Sequence, residues 1–508
     1  MMSLIRSSRV YRTFRHVTAS RIAKAYFTSI LGVISGLLTQ LLFIRELTAT
    51  VTPTQFALYA FVFQIVNYLT VFQLGMDFTV SREVAMHLGA GNTSLANYSF
   101  AFIRRFNKSI LLIAAVAIVV LALFFYAGYA LPADYDDLTA SLLVLAFGVF
   151  QLLTFFTRPY HAALIGTNYQ NIVNLNNVFI NIISTFLAYI LLQQGFGLFA
   201  MPVSLVAWSV INIFVLKYIV QQKCSWISDA APVRDRSLDK SSIRFGVLST
   251  LGGIAWTIEA TADVVILNAA GLMHLVGIYV IWWRFPQMMF DLASRLTTSA
   301  YPSISAAHGS GANSKLLLNK LMIAVTCLAF MIAAGIYLWL PSFVNLWVGQ
   351  PYAYDNYTTL SMLVAILIFL RITGNCIGMY IVSIGRVRIT TAFSWIQATI
   401  KVVAGYFMVT RFGMEGLLIT SIFCALLQVA GLTAYLYKQD IVDLKLISFV
   451  SLLVLTILGL WVLKNEELVR LPQLIWGMTT TLFISVGFVL VMLFSFGYRD
   501  IFLKKANP

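Results

Sequence analysis

Residues 109–130 read SILLIAAVAIVVLALFFYAGYA and carry no charge. At 1.5 Å per residue, a helix of about 20 such residues matches the roughly 30 Å hydrocarbon core of a bilayer. Runs of this kind recur along all 508 residues, of which 60% are hydrophobic and only 10% charged. In hydrocarbon every backbone polar group must be satisfied within the protein, and runs this long satisfy theirs as α-helices. The chain is therefore expected to be an all-α polytopic membrane protein of about 14 transmembrane helices, with no room for a sizeable soluble domain. The predicted spans lie near 23–44, 55–77, 108–131, 138–157, 170–193, 197–220, 245–269, 275–298, 317–340, 358–380, 389–410, 414–437, 446–463 and 474–497.

The loops give a sidedness. With the basic N-terminus (1–22) inside, the inward loops collect most of the lysines and arginines, and the outward face keeps only Arg45, Arg411, Lys464 and Arg470. By the positive-inside rule both termini (1–22 and 498–508) are expected in the cytoplasm of a multi-pass protein of the cell inner membrane. No A-x-A site follows the first apolar run, so it reads as a retained span and not as a signal peptide. The formal net charge of +15 is spread over short loops, which argues against a nucleic-acid partner.

Catalytic signatures are missing from the sequence. It has no G-x-S-x-G, no glycine-rich phosphate loop and no His/Glu metal pair, and Cys224, Cys327, Cys376 and Cys424 share no metal or disulfide spacing. No enzyme activity and no metal is expected.

The chain matches itself at an offset of 219 or 220 residues. SILGVISG from Ser29 meets STLGGIAW from Ser249, Tyr59 meets Tyr279, HLGAGN near Gly91 meets HGSGAN near Gly311, and Gly166 and Gly197 meet Gly385 and Gly416. Six spans separate the copies, so both have one orientation. This predicts an N-lobe (23–220, helices 1–6), a cytoplasmic linker (221–244), a C-lobe (245–437, helices 7–12) and two trailing helices (438–497), with a central cavity between the lobes. Asn174, Asn177 and Asn181 share a face of span 5, and Ser394, Gln397 and Lys401 take the same places in span 11. Such a stripe either lines a wet cavity or bonds helices to one another; for Lys401, near the middle of its span, the sequence favours the cavity.

Charges deep in spans are costly and therefore informative, at roughly 2.5–3.5 kcal/mol each at the bilayer centre on insertion scales. WTIEATADVVI places Glu259 and Asp263 on one face of span 7, and span 8 returns with Arg284. Helix rise puts Glu259 ~15 Å and Arg284 ~14 Å below the same surface. The two form either a pair that orients helices or part of a lumen. With Arg371 and Lys401 the deep charges are basic on balance, as a cavity receiving an anion would be. Asp77 and Arg82 near the inner end of span 2, and Asp291 and Arg295 near that of span 8, are candidates for an inner gate or ordinary interface charges.

VFQLGMDFTVSREVA closing span 2, GIYVIWWRFPQMMFDLASRLTTSAYPSISAAHG in span 8 and the IGR turn at Ile384 to Arg386 complete a pattern running through the whole chain. It resembles the polysaccharide-transporter branch of the multidrug/oligosaccharidyl-lipid/polysaccharide exporter superfamily, of which Wzx-type O-antigen flippases are members. The resemblance implies two lobes around a cavity, alternating access, and an oligosaccharide on a polyprenyl diphosphate as substrate. Arg284, Arg371 and Lys401 would then bind the diphosphate, and Asn174, Asn177, Asn181, Ser394 and Gln397 would line the sugar path. Glu259 or Asp263 would couple transport to H+ or Na+, no other cofactor being implied; a diphosphate competing for Arg284 would leave Glu259 to take up a proton. Trp282, Trp283 and Trp395 are candidates to stack on sugars. The transporter would act as a monomer in the bilayer, beside a polysaccharide polymerase and chain-length proteins, in O-antigen, capsule or exopolysaccharide synthesis.

Other readings stay open at the level of sequence. A peptidoglycan lipid-precursor flippase shares the architecture and an anionic lipid substrate. A cation-coupled multidrug exporter shares the fold, although its lumen should be acidic on balance. A membrane glycosyltransferase or ligase would want larger external loops, and a scaffold would not explain the repeated stripes.

Overall fold

The computed structural model describes residues 9–70, 80–227, 236–309 and 314–439, apart from positions 82, 86, 89, 90, 130, 133, 134, 168, 353, 355 and 385; side chains are described from residue 27, less 236–249, 299–317 and a few single positions. Spans 13 and 14 and the gate candidates Asp77 and Arg82 lie outside the described residues.

Within them the regular structure is helical throughout. In chain order the helices are α1 (Arg9–Thr50), α2 (Pro53–Asn67), α3 (Thr93–Tyr126), α4 (Asp137–Gly166), α5 (Gln170–Gln193), α6 (Ala200–Lys223), α7 (Arg236–Ala269), α8 (Met273–Gly309), α9 (Ser314–Val348), α10 (Tyr357–Ser383) and α11 (Val387–Lys438). Nine segments among the described residues are long and apolar enough to cross a membrane. Helix α8, which carries Arg284, Asp291 and Arg295, is not one of them. Large apolar side chains stand exposed along many of these helices, Leu112, Val116, Val120 and Leu123 on α3 and Phe179, Ile182 and Phe186 on α5 among them. On a soluble protein such surfaces would aggregate; here they are what a bilayer covers.

Local chemistry explains the helix boundaries. Thr52 begins α2 with a capping box, its hydroxyl accepting from Gln55 N at 3.2 Å and its own N–H donating to Gln55 Oε1 at 3.0 Å, with Pro53 in the first turn. Asn92 accepts from Leu95 N at 3.0 Å to start α3, and Asp136 accepts from Leu138 N at 3.1 Å to start α4. Helix α11 has 52 residues, about 78 Å if straight and far more than one crossing needs. It is broken at Gly413, whose φ of 57° and ψ of −136° are open to glycine alone. Its two arms run antiparallel: Gln397 Nε2 donates to Cys424 O at 2.8 Å, and Lys401 bonds Ser421. A methyl group at Gly416 would fall 2.2 Å from Met408 O, so the arms meet at van der Waals limits near the break.

By contact the chain divides into two compact units, 1–277 and 278–508. The division falls at the start of α8, one helix later than the linker at 221–244, and α7 packs with the first unit through α2. One contact is shared by repeat-related positions of the two units. Tyr59 stacks on Phe63 at 6.3 Å between ring centroids, and 220 residues later Tyr279 stacks on Trp283, also at 6.3 Å. One end of the first unit is an apolar cluster of Val80, Val84, Phe100, Ile103, Leu164 and Leu216, closed by Trp226, whose indole N–H donates to Thr167 at 3.2 Å.

Candidate functional site

A charged face in the second unit is the clearest candidate. Arg284, Gln287, Asp291 and Arg295 recur on α8 at the i, i+3, i+7, i+11 positions of a single helix face, and the first three are half-buried. Gln287 Nε2 donates to Asp291 Oδ1 at 3.1 Å. Arg371 comes from α10 with its guanidinium carbon 5.6 Å from the Trp283 ring centroid and 5.6 Å from that of Phe290. Cation–π contacts of this geometry hold an arginine in place. Asp291 lies in the fields of Arg295, Arg284 and Arg371. Two hydrogen bonds fix the helix that bears them: Trp282 Nε1 to Tyr352 O at 3.1 Å, and Asn375 Nδ2 to Thr297 Oγ1 at 3.1 Å.

The repeat shows what is special about this face. In the first unit the places of Gln287 and Arg371 are held by Asn67 and Gln151, and these two are joined by a hydrogen bond of 3.0 Å from Gln151 Nε2 to Asn67 Oδ1. One architecture thus carries a neutral amide pair in the first unit and a cationic cluster in the second. Gln151, Asn67, Gln287 and Phe290 escape a motif search because amides and a phenylalanine in an apolar run give no signal. The 220-residue offset applied to Arg371 would have found Gln151.

Glu259 and Asp263 belong to the first unit and Arg284 to the second. The two acids are 8% and 4% exposed. Tyr68, just beyond α2, shares a side-chain hydrogen bond with Thr261 and lies in the field of Asp263. Thr261 donates in turn to Thr257 O at 2.6 Å. The sequence reading did not include Tyr68, since one tyrosine among 23 carries no motif.

The repeated stripes part company. On α5, Asn174 Nδ2 donates to Thr28 Oγ1 at 3.3 Å, and Asn181 Nδ2 would stand 3.3 Å from a methyl group on Gly36, so both face α1 across its Gly32/Gly36 pair. Asn177 is exposed. On α11, Ser394 bonds Thr390 O at 3.0 Å within its own helix, and Gln397 and Lys401 are turned into the second arm. Lys401 is 1% exposed, so the wet cavity favoured for it by sequence is replaced here by the packed seam between the two arms. The physical reason is the break at Gly413, which folds the polar face of span 11 onto Ser421 and Cys424 of span 12. Trp282 is buried and committed to Tyr352, whereas Trp395 is exposed.

No protein-family model and no curated protein matches the chain. Solved structures do. A MATE transporter in complex with MaD5 superposes with a TM-score of 0.63 at 15% identity, covering 83% of this chain and 97% of that one. An inward-facing multidrug resistance MATE family transporter of the MOP superfamily gives 0.57 at 16%, over 82% and 95%. A MOP superfamily transporter from Pyrococcus furiosus gives 0.60 at 14%, over 83% and 97%, and is described by the words "reverse polarity of binding pocket suggests different function". The chain has the fold of these transporters, and at such identities the likeness is one of fold.

Proposed function

We infer that this chain is an alternating-access transporter of the multidrug/oligosaccharidyl-lipid/polysaccharide exporter type, and that its substrate is anionic: an oligosaccharide on a polyprenyl diphosphate, moved from the cytoplasmic to the outer leaflet for surface-polysaccharide synthesis. The observation that carries this reading is the cluster of Arg284, Arg295 and Arg371 around Asp291, where the repeat-related place holds neutral Asn67 and Gln151. Guanidiniums offer paired donors matched to phosphate oxygens. On this reading the membrane is the cell inner membrane and both termini are cytoplasmic.

A second reading is a multidrug exporter, and the names of the solved structures of this fold support it more directly than they support the first. The buried Glu259 and Asp263 of the first unit also suit it, as an acidic site for a cation. The phrase attached to the Pyrococcus furiosus protein is relevant here, because it associates a change of pocket polarity within this fold with a change of function.

Reconstitution in liposomes separates the two. A fluorescent polyprenyl-diphosphate oligosaccharide should reach the opposite leaflet with the wild-type chain, and Arg371→Gln, which restores the amide of the other repeat, should slow this at least ten-fold while the protein stays folded and inserted. Transport of a lipophilic dye cation by the wild type, with no movement of the diphosphate, would establish the second reading.

A further inference from the structure

Helix α4 contains Pro159 in its last third, and a hollow with two cations in its lining lies beside it. Proline has no N–H, so Phe155 O, four residues earlier, loses its helical donor. Asn107 of α3 replaces it, its Nδ2 donating to Phe155 O at 3.1 Å. Beside this bridge lies a cavity of about 190 Å³ between α3 and α4, lined by Arg104, Asn107, Lys108, Phe155, Pro159 and Tyr160 among others. Its volume is several times the ≈ 30 Å³ share of a water molecule. Its walls are divided: Arg104 and Lys108 are exposed cations at one rim, while the phenylalanines and Leu111 form an apolar floor.

The depth of this hollow in the membrane follows from α3. Beyond Lys108 its outer face is apolar and exposed at Leu112, Val116, Val119, Val120 and Leu123, and ends at the exposed Tyr126 and Tyr129. From Lys108 to Tyr126 the helix rises about 27 Å, close to the thickness of a hydrocarbon core. Tyrosines mark one interface, so Arg104 and Lys108 sit at the other, at headgroup level. Arginine at a phosphate and an apolar floor for the first methylenes is the chemistry of a bound anionic phospholipid.

We propose that the α3/α4 hollow is a binding site for the phosphate headgroup of an anionic membrane lipid, held by Arg104 and Lys108. It is separate from the charged face of the second unit, since it lies between α3 and α4 of the first. The occupant is drawn from the bilayer because the floor is apolar and continuous with the lipid-covered face of α3. Each cation near an anionic surface adds roughly five-fold in affinity.

The test uses the full chain. Native mass spectrometry from nanodiscs of phosphatidylcholine and phosphatidylglycerol should show phosphatidylglycerol retained in preference, and Arg104→Gln with Lys108→Gln should cut that retention by roughly ten-fold or more, whereas Arg411→Gln, at the other face, leaves it unchanged. A photoactivatable phosphatidylglycerol should label peptides around 104–111 and 155–160 in the wild-type chain, a readout that needs no variant. The proposal is overturned if the double variant retains the lipid as before, if phosphatidylcholine is held equally (an acyl groove only), if inorganic phosphate displaces the lipid at millimolar concentration (a free-phosphate site), or if the label falls elsewhere.

Discussion

Two single residues outside the membrane-spanning segments give direct tests. Asp136 caps α4, and its carboxyl is held below the ordinary carboxylate range, chiefly by the hydroxyl of Thr139 and further by backbone N–H groups. A pKa lowered on folding means that the cap contributes fully above the ordinary carboxylate pKa and is lost as pH falls through the depressed value. Hydrogen exchange in the first turn of α4 should therefore accelerate at acid pH beyond the chemical rate. Asp136→Asn, an equally good cap without a proton to gain, should remove that dependence. Cys224 is buried beside Thr167 and Trp226, and burial pushes its thiol up. The other three cysteines are buried as well. A membrane-impermeant maleimide should accordingly leave the native chain almost unlabelled and react with all four after denaturation; rapid labelling of Cys224 would show that the Thr167/Trp226 closure opens.

Helix pairs are where the sequence reading was strongest and where its blind spot lies. The span at 170–193 coincides with α5, and the boundary between spans 11 and 12 falls at the break of α11, because charge, glycine and apolar length are local signals. Which neighbour a polar face meets is not local. Asn174 and Asn181 meet α1, while Gln397 and Lys401 from the same repeat positions meet their own second arm. The Asn107 bridge at Pro159 is equally invisible, since its acceptor is a backbone carbonyl. It makes a clean prediction. Asn107→Ala should cost about 1–3 kcal/mol by leaving a buried carbonyl unsatisfied. In a Pro159→Ala background, where residue 159 supplies the N–H itself, the same change should cost little, and thermal unfolding of the four proteins in one detergent measures the coupling.

At the scale of the molecule, the two units share a frame and differ in charge. Tyr59/Phe63 and Tyr279/Trp283 stack alike, yet the second unit bears guanidiniums where the first has amides, and the first buries Glu259 and Asp263. The repeat period pointed to one shared contact; the charge difference emerged only when repeat-related partners were compared in space. On the proposed function, the anion site lies in one unit and the ion-coupling site in the other. Two buried acids on one face of α7, with Tyr68 in the field of Asp263, can exchange a proton or hold a cation without exposing charge to lipid. Glu259→Gln fixes the neutral form. Diphosphate-oligosaccharide flipping by this variant should continue in liposomes at uniform pH but lose its acceleration by an imposed pH gradient, and Asp263→Asn should do the same if the pair acts as one unit. Tyr68→Phe, which keeps the ring and removes only the hydroxyl, should slow the gradient-driven component and leave the passive one. Flipping by Glu259→Gln that responds to the gradient as the wild type does would remove the acid from coupling and leave it a role in packing α7.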